Sequence, residues 1–299
     1  MNSYKNQVAL LLQVLPEVAK EKCFALHGGT AINLFIRDMP RLSVDIDLTY
    51  IPIEDRGTSL SKIIAALENI KVNLAKILPG VKITLQEKVL KLQLTTAKAQ
   101  IKLEVSQINR GILDELVVLP LCEKAQEEFD AFCAISVVPM GQLYGGKICA
   151  ALDRQHPRDL FDVKDLLENE GFTDEIKKGF LLLLLSSNRP INEMLQPNLI
   201  DQREVLANQF KGMSSEPFTY KDFEKTRATL ITTIQQSLTA KDEEFLISFS
   251  NLTPNWSMYD FQRFPAVQWK LQNLTKLKAN NLEKFNTYHI ALKKLLEYE

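Results

Sequence analysis

The chain has 299 residues, 45% hydrophobic and 24% charged, with 36 Lys and Arg against 37 Asp and Glu for a formal charge of −1. At about 150 residues per domain this length points to two domains, and the composition excludes a disordered or fibrous chain. Near-neutral charge excludes a protein that coats nucleic acid by bulk charge, so any polyanion must be met by a local patch.

Val8, Leu11, Leu12, Leu15 and Val18 recur at helical spacing and predict a helix over 4–20. That segment carries Lys5 but is interrupted by Gln13 and runs into Glu17, Lys20 and Glu21 without a small-residue cleavage site, so it reads as an amphipathic helix and not a signal peptide. Phe24, Ala25 and Leu26 form a short apolar run that stops at His27-Gly28-Gly29, after which Thr30 is expected to cap a helix holding Ala31, Leu34 and Phe35. Residues 44–50 alternate with period two and predict a strand, followed by a helix over 59–78 that ends at Pro79-Gly80. Residues 81–85, 89–94 and 100–105 alternate in the same way, and the apolar runs 116–119 and 134–138 close this half. From Met140 onward the strand pattern stops, and helices are expected over 141–152, 157–170, 173–187, 199–212, 219–247 and 274–298. The reading is therefore α+β: a mixed sheet with flanking helices over 1–139, then an α-helical domain over 140–299, the boundary set by the composition change near Pro139. The longest strongly apolar run, Phe180 to Leu185, is far short of the roughly 20 residues a bilayer requires and reads as buried helix. Cys23, Cys122, Cys133 and Cys149 lie far apart with no CxxC pair, which fits reduced core thiols in a cytoplasmic protein.

Three constellations carry chemistry. In the first, Gly28-Gly29-Thr30 precedes Asp45-Ile46-Asp47 by fifteen residues from Thr30 to Asp45. Residues two apart on a strand share a face, so both carboxylates project together while Ile46 and Leu48 face the other way. Two adjacent carboxylates repel unless a cation neutralises them, and oxygen ligands of this kind suit Mg²⁺ or Mn²⁺. The Gly-Gly turn offers bare backbone N–H groups to a phosphate. In the second, the alternation of 101–105 puts Lys102 and Glu104 opposite Ile101, Leu103 and Val105, making Glu104 a candidate third metal ligand or one half of an exposed charge pair. In the third, Lys147, Ala151 and Arg154 fall within about 40° of one another on a helix, and Pro157 begins a new helix presenting Arg158, Asp159 and Asp162. These cations would meet a triphosphate, although Arg158 paired with Asp162 and Asp159 as a helix-start residue are open structural alternatives.

The Gly28-Gly29-Thr30…Asp45-Ile46-Asp47 arrangement resembles the polymerase-β-type nucleotidyltransferase superfamily. With Lys147, Ala151, Arg154, Arg158, Asp159 and Asp162 added, residues 20–170 are similar to the AbiEii/AbiGii nucleotidyltransferase toxins of type IV toxin–antitoxin systems, a family that includes the MenT enzymes. The resemblance implies an NTP substrate, Mg²⁺ or Mn²⁺, transfer of a nucleotide onto an RNA acceptor such as a tRNA 3′ end, and an antitoxin partner. It assigns Asp45 and Asp47 to the metal, Lys147 to the triphosphate, and Asp159 or Asp162 to a further essential aspartate. Thr30 stands where serine is common and keeps the hydroxyl. Glu104 is carried over as a metal ligand, and Gly28, Gly29, Thr30, Arg154 and Arg158 as nucleotide contacts. Transfer to a protein side chain, and a catalytically inactive nucleotide- or RNA-binding module, are the competing readings.

The C-terminal segment adds one feature. Residues 263–294 hold seven Lys or Arg and one acidic side chain, Glu283, a local excess of six positive charges. Phe264, Trp269, Phe285 and Tyr288 interleave with them, so Lys270, Lys276 and Lys278 are expected to grip RNA phosphates while an aromatic ring stacks on an unpaired base. The scattered His27, His156 and His289 have no zinc-ligand spacing.

Overall fold

Val8, Leu11, Leu12, Leu15 and Val18 are all buried, and the computed structural model, which describes residues 3–297, begins with helix α1 (Ser3–Val18) built on that stripe. Residues 1, 2, 298 and 299, at the outer ends of the two expected domains, lie outside the described residues. Strand β1 (Phe24–His27) leads directly into α2 (Gly28–Ala31), which continues as a π-helical stretch, Ile32–Ile36. There follow β2 (Asp45–Tyr50), α3 (Arg56–Ile77), β3 (Lys82–Gln86), a 3₁₀ turn (Glu87–Val89), β4 (Lys91–Thr95), β5 (Gln100–Arg110), β6 (Val117–Pro120), α4 (Glu123–Phe129) and β7 (Ala134–Val137).

The seven strands form one sheet in the order β3-β4-β5-β2-β1-β7-β6. Pairing is antiparallel except for β1 with β7 and β2 with β5, which are parallel, so the sheet is mixed as the alternating segments imply. Position in this order decides the environment of β2: flanked by β1 and β5, it buries Ile46 and Leu48 while Asp45 and Asp47 remain half-exposed on the other face.

The second unit holds α5 (Met140–Asp153), α6 (Pro157–Asn169), α7 (Asp174–Leu184), α8 (Ile191–Leu195), α9 (Arg203–Val205), α10 (Tyr220–Ser237), α11 (Ala240–Ser250), α12 (Pro265–Asn280) and α13 (Leu282–Leu295). Helices α5 and α7 touch backbone to backbone. A Cβ built on Gly145 would collide with Gly179, and one on Gly179 with the Gly141 carbonyl. Only glycines at these positions allow so close an approach, which carries α5 and the side chains along it against the buried Phe180–Leu185 run.

Several boundaries differ from those read in the sequence. Thr30 is not a cap: the helix begins at Gly28, and the Thr30 hydroxyl turns inward to the Asp45 carbonyl. The expected helix over 199–212 is reduced to α9 and a short π-helical turn, Leu206–Phe210. Residues 208–218 belong to the sheet-bearing unit, not the helical one: Leu42 N–H donates to the Met213 carbonyl (2.7 Å), and Arg41 pairs with Ser214 in an isolated bridge. The expected helix 219–247 is two helices, α10 and α11, each started by a capping box, Thr219 with Asp222 and Thr239 with Asp242. Helix 274–298 is likewise split at Asn281, whose side chain caps α13. Among the described residues no helix is long and apolar enough to cross a membrane. The four cysteines are free thiols.

Candidate active site

The first cluster is assembled by the β1–α2 turn and β2. In the antiparallel register His27 faces Asp47, and the backbone of Gly28 turns with φ +72°, a conformation glycine adopts without strain. The space there is as restrictive as the dihedral: a Cβ on Gly28 would lie 2.5 Å from Asp47 Oδ2. A Cβ on Gly29 would lie 2.8 Å from Arg41 Nη2 and 3.1 Å from Ser43 Oγ. The Thr30 hydroxyl donates to the Asp45 carbonyl and stands 3.0 Å from Ser43 Oγ, while Asn33 Nδ2 donates to the Gly29 carbonyl (2.9 Å). The glycine turn is thus bonded to the strand carrying the acids, and its backbone lies directly against the Asp47 carboxylate.

Parallel pairing with β5 sets Lys102 opposite Asp45 and Glu104 opposite Asp47. Burial pushes the Lys102 ammonium toward its neutral form, but the charges of Asp45, Glu104 and Asp47 win and raise its pKa. Burial likewise raises the Glu104 carboxyl, and its bonds from Lys91 (2.5 Å) and Lys102 (3.1 Å) bring it below the usual range. Glu104 therefore stands next to the aspartate pair with its oxygens turned to two lysines. Among the described residues no three His, Cys, Asp or Glu side chains gather as a metal-binding group, so the third carboxylate expected from the strand pattern does not complete one. Mg²⁺ commonly takes one or two protein carboxylates and fills its remaining positions with water and phosphate oxygens, so Asp45 and Asp47 by themselves are a donor set that fits it. Lys102 escaped the sequence reading as a site residue. Its alternation phase was legible, but which strand β5 would lie beside was not.

The second cluster belongs to the helical unit. Lys147 on α5 donates to Asp159 Oδ1 (2.8 Å) and stands 2.9 Å from Asp162 Oδ2, and all three side chains are at most 6% exposed. Arg154 Nε lies 2.6 Å from Asp159 Oδ2, with Nη2 3.0 Å from Oδ1, while 61% of its side chain remains exposed. Burial alone would raise the Asp159 carboxyl, yet Lys147 and Arg154 outweigh it and hold the group well below the usual carboxylate range. Asp159 is consequently a weak proton acceptor and a strong organiser of two cations. Helix α6 is capped by His156, whose Nδ1 accepts from the Arg158 N–H, so Asp159 spends its side chain on Lys147 and Arg154 instead of the helix start. Lys147 is a buried ion-pair partner, and the cation of this cluster with most surface is Arg154.

Of the three lysines expected to face RNA, Lys276 and Lys278 are exposed on α12, 5.6 Å from the Trp269 ring centre and 5.2 Å from that of Phe285. Lys270 departs from the expectation. It is buried, and its ammonium donates to the carbonyls of Ser187 (2.7 Å) and Arg189 (2.6 Å), with that of Leu184 at 3.4 Å. It closes the C-terminal end of α7, where backbone acceptors run out of intrahelical partners.

The family model described as nucleotidyl transferase AbiEii toxin, type IV TA system, matches residues 9–273. Among solved structures, the fold is similar to MenT4, a nucleotidyltransferase toxin from Mycobacterium tuberculosis H37Rv, with a TM-score of 0.62 at 12% identity over 91% of this chain and 93% of that one. No curated protein sequence matches. With glycine turn, strand-borne aspartates and helical ion-pair cluster all falling inside the matched span, the chain belongs to the AbiEii nucleotidyltransferase toxin family of type IV toxin–antitoxin systems.

Proposed function

We propose that this nucleotidyltransferase moves an NMP unit from an NTP to the 3′-terminal hydroxyl of an RNA acceptor, a tRNA being the first to test, with Mg²⁺ or Mn²⁺ bound by Asp45 and Asp47. The observation that carries the reading is the pair of half-exposed carboxylates on one face of β2, with that of Asp47 packed against the bare backbone of Gly28. When bound, the ion supplies charge neutralisation on the triphosphate. Asp45 and Asp47 hold it, and the Gly28-Gly29-Thr30 turn admits phosphate oxygens to backbone N–H groups. Lys102 offers a further positive charge beside the pair. The acceptor hydroxyl gives up its proton to solvent as its oxygen forms a bond to the α-phosphorus, the bond to the bridging oxygen of the β-phosphate breaks, and pyrophosphate leaves. Lys147, Arg154, Arg158, Asp159 and Asp162 are assigned to the same reaction. Arg154 and Arg158 act as cations toward the triphosphate, and Asp159 and Asp162 orient Lys147. The family context implies an antitoxin partner, and the NTP and RNA substrates imply action in the cytoplasm.

Purified protein is incubated with each labelled NTP, Mg²⁺ and total tRNA. Label on RNA that disappears with EDTA and with Asp45→Ala or Asp47→Ala is the expected result. Unchanged labelling in either variant overturns the assignment of the aspartates, and label on protein instead of RNA moves the acceptor to a side chain.

A further inference from the structure

We propose that Arg41 is a positioning residue of the nucleotide site, a buried cation that fixes the Gly28-Gly29 turn from behind so that its N–H groups meet the NTP phosphates. The inference rests on the phosphate role given to that turn above and adds to it a residue that is itself closed off from solvent.

Gly29 shows where the guanidinium stands. Gly28 has a positive φ and Gly29 does not, so the backbone at 29 makes no demand for glycine. What excludes a side chain there is contact: a Cβ would lie 2.8 Å from Arg41 Nη2 and 3.1 Å from Ser43 Oγ. The tip of Arg41 therefore occupies the space into which any larger residue at 29 would grow.

An arginine tip ordinarily swings aside, but this one is held. Arg41 is 3% exposed, and its Nη1 donates to the Leu42 carbonyl (3.0 Å). The loop that carries it is tied on one side through Asn33, whose carbonyl accepts from the Met39 N–H (3.0 Å) while its Nδ2 donates to the Gly29 carbonyl (2.9 Å). On the other side residues 208–218 form a strap. Ser214 Oγ donates to the Pro40 carbonyl (3.2 Å), Ser214 pairs with Arg41 in the isolated bridge, and the Met213 carbonyl accepts from the Leu42 N–H (2.7 Å). Buried Phe210, Met213 and Phe218 anchor the strap, the two rings meeting edge to face at 5.6 Å. A guanidinium is costly to bury, so packing alone would be better served by an apolar residue. What the guanidinium adds is a permanent positive charge, screened little by salt, directly behind backbone donors that face an anion.

The test uses the full chain and calorimetry with the four Mg²⁺-NTPs, Mg²⁺-tripolyphosphate and the nucleoside monophosphates. Arg41→Met is expected to weaken the NTPs and tripolyphosphate by about tenfold or more, and the monophosphates much less. Arg41→Lys, which keeps the charge, should return the NTPs to within about threefold of wild type. A general loosening of the fold would lower every ligand alike and would not be reversed by lysine. Gly29→Ala should weaken NTP binding about tenfold in the wild-type background and less than about threefold in Arg41→Met, because the methionine tip yields to the added methyl group. Arg41→Gln gives the same answer should Arg41→Met fail to fold. Unchanged triphosphate affinity in Arg41→Met, an equal loss in Arg41→Lys, or additive losses in the double variant each overturn the assignment. A wild-type chain that binds neither NTP nor tripolyphosphate overturns the phosphate role of the turn itself, whereas one that binds both while Arg41→Met matches it loses only Arg41.

Discussion

Gly28 and Asp47 are in contact across the β1–α2 turn, so close that a methyl group on the first would stand 2.5 Å from Oδ2 of the second. The positive φ of Gly28 and the position of an acidic side chain are therefore one structural fact. Gly28→Ala should destabilise the protein by about 1–2 kcal/mol through the left-handed dihedral and also displace the carboxylate. Misplacement on the scale of 1 Å can cost on the order of 100-fold in rate. Melting and nucleotidyl transfer measured together check this. A stable variant with full activity would show that Asp47 can move aside freely.

Glu104 faces Asp47 in register, yet it is bonded to Lys91 and Lys102. Glu104→Gln is expected to keep Mg²⁺-dependent NTP binding within about tenfold of wild type, corresponding to no more than about 1.4 kcal/mol. Asp47→Asn should lose it. Calorimetry with and without Mg²⁺ separates the two, and equal losses in both variants would return Glu104 to the metal site.

Removing the ammonium of Lys147 takes away the cation that bridges the buried Asp159 and Asp162. Lys147→Met should cost about 3–5 kcal/mol in denaturant unfolding, the loss typical of breaking a buried pair from one side. The pH dependence follows from the depressed Asp159 carboxyl. A folded pKa below the unfolded value gives stability that is fully present above about pH 4 and lost as the pH falls below it. Asp159→Asn should flatten that acid limb, and an unaltered limb would mean other carboxylates carry it.

Lys270 is pulled down to about 8 by burial. An unfolded lysine titrates at about 10.4, so between about pH 8 and 10.4 the unfolded chain binds more protons and this group's contribution to stability rises with pH. Other groups titrate in the same range, so the quantity to follow is the difference in midpoint between wild type and Lys270→Met. That difference should shift in favour of the wild type as the pH goes from 8 to 10, and a pH-independent difference would contradict the burial of the charge.

Helices α5 and α7 meet through Gly141, Gly145 and Gly179 with no room for a side chain. Gly145→Ala and Gly179→Ala should each destabilise by at least about 1–3 kcal/mol, the usual cost of overpacking, although alanine is the better helix former by about 1 kcal/mol. Denaturant midpoints check the sign, and a stabilised variant would show that the helices can separate without penalty.

Local periodicity was sufficient for much of this protein. The alternation of 44–50 placed Asp45 and Asp47 on one face, and the helical spacing around Lys147, Arg154 and Pro157 placed two cations and two acids on neighbouring helices, because both patterns depend only on residues a few positions apart. The capping boxes at Thr219 and Thr239 were equally local, and reading them would have divided the long helix expected over 219–247.

What lay beyond the sequence was decided by which segments met. Parallel pairing of β2 with β5 put Lys102 beside Asp45 and left Glu104 held by two lysines. Packing of α12 against the end of α7 turned Lys270 from a surface charge into a buried staple. A hydrogen bond between Leu42 and Met213 drew residues 208–218 out of the helical half. Each is a long-range choice among partners of similar local character, made by burial and by satisfying polar groups once the chain is folded, and no window of neighbouring residues contains that information.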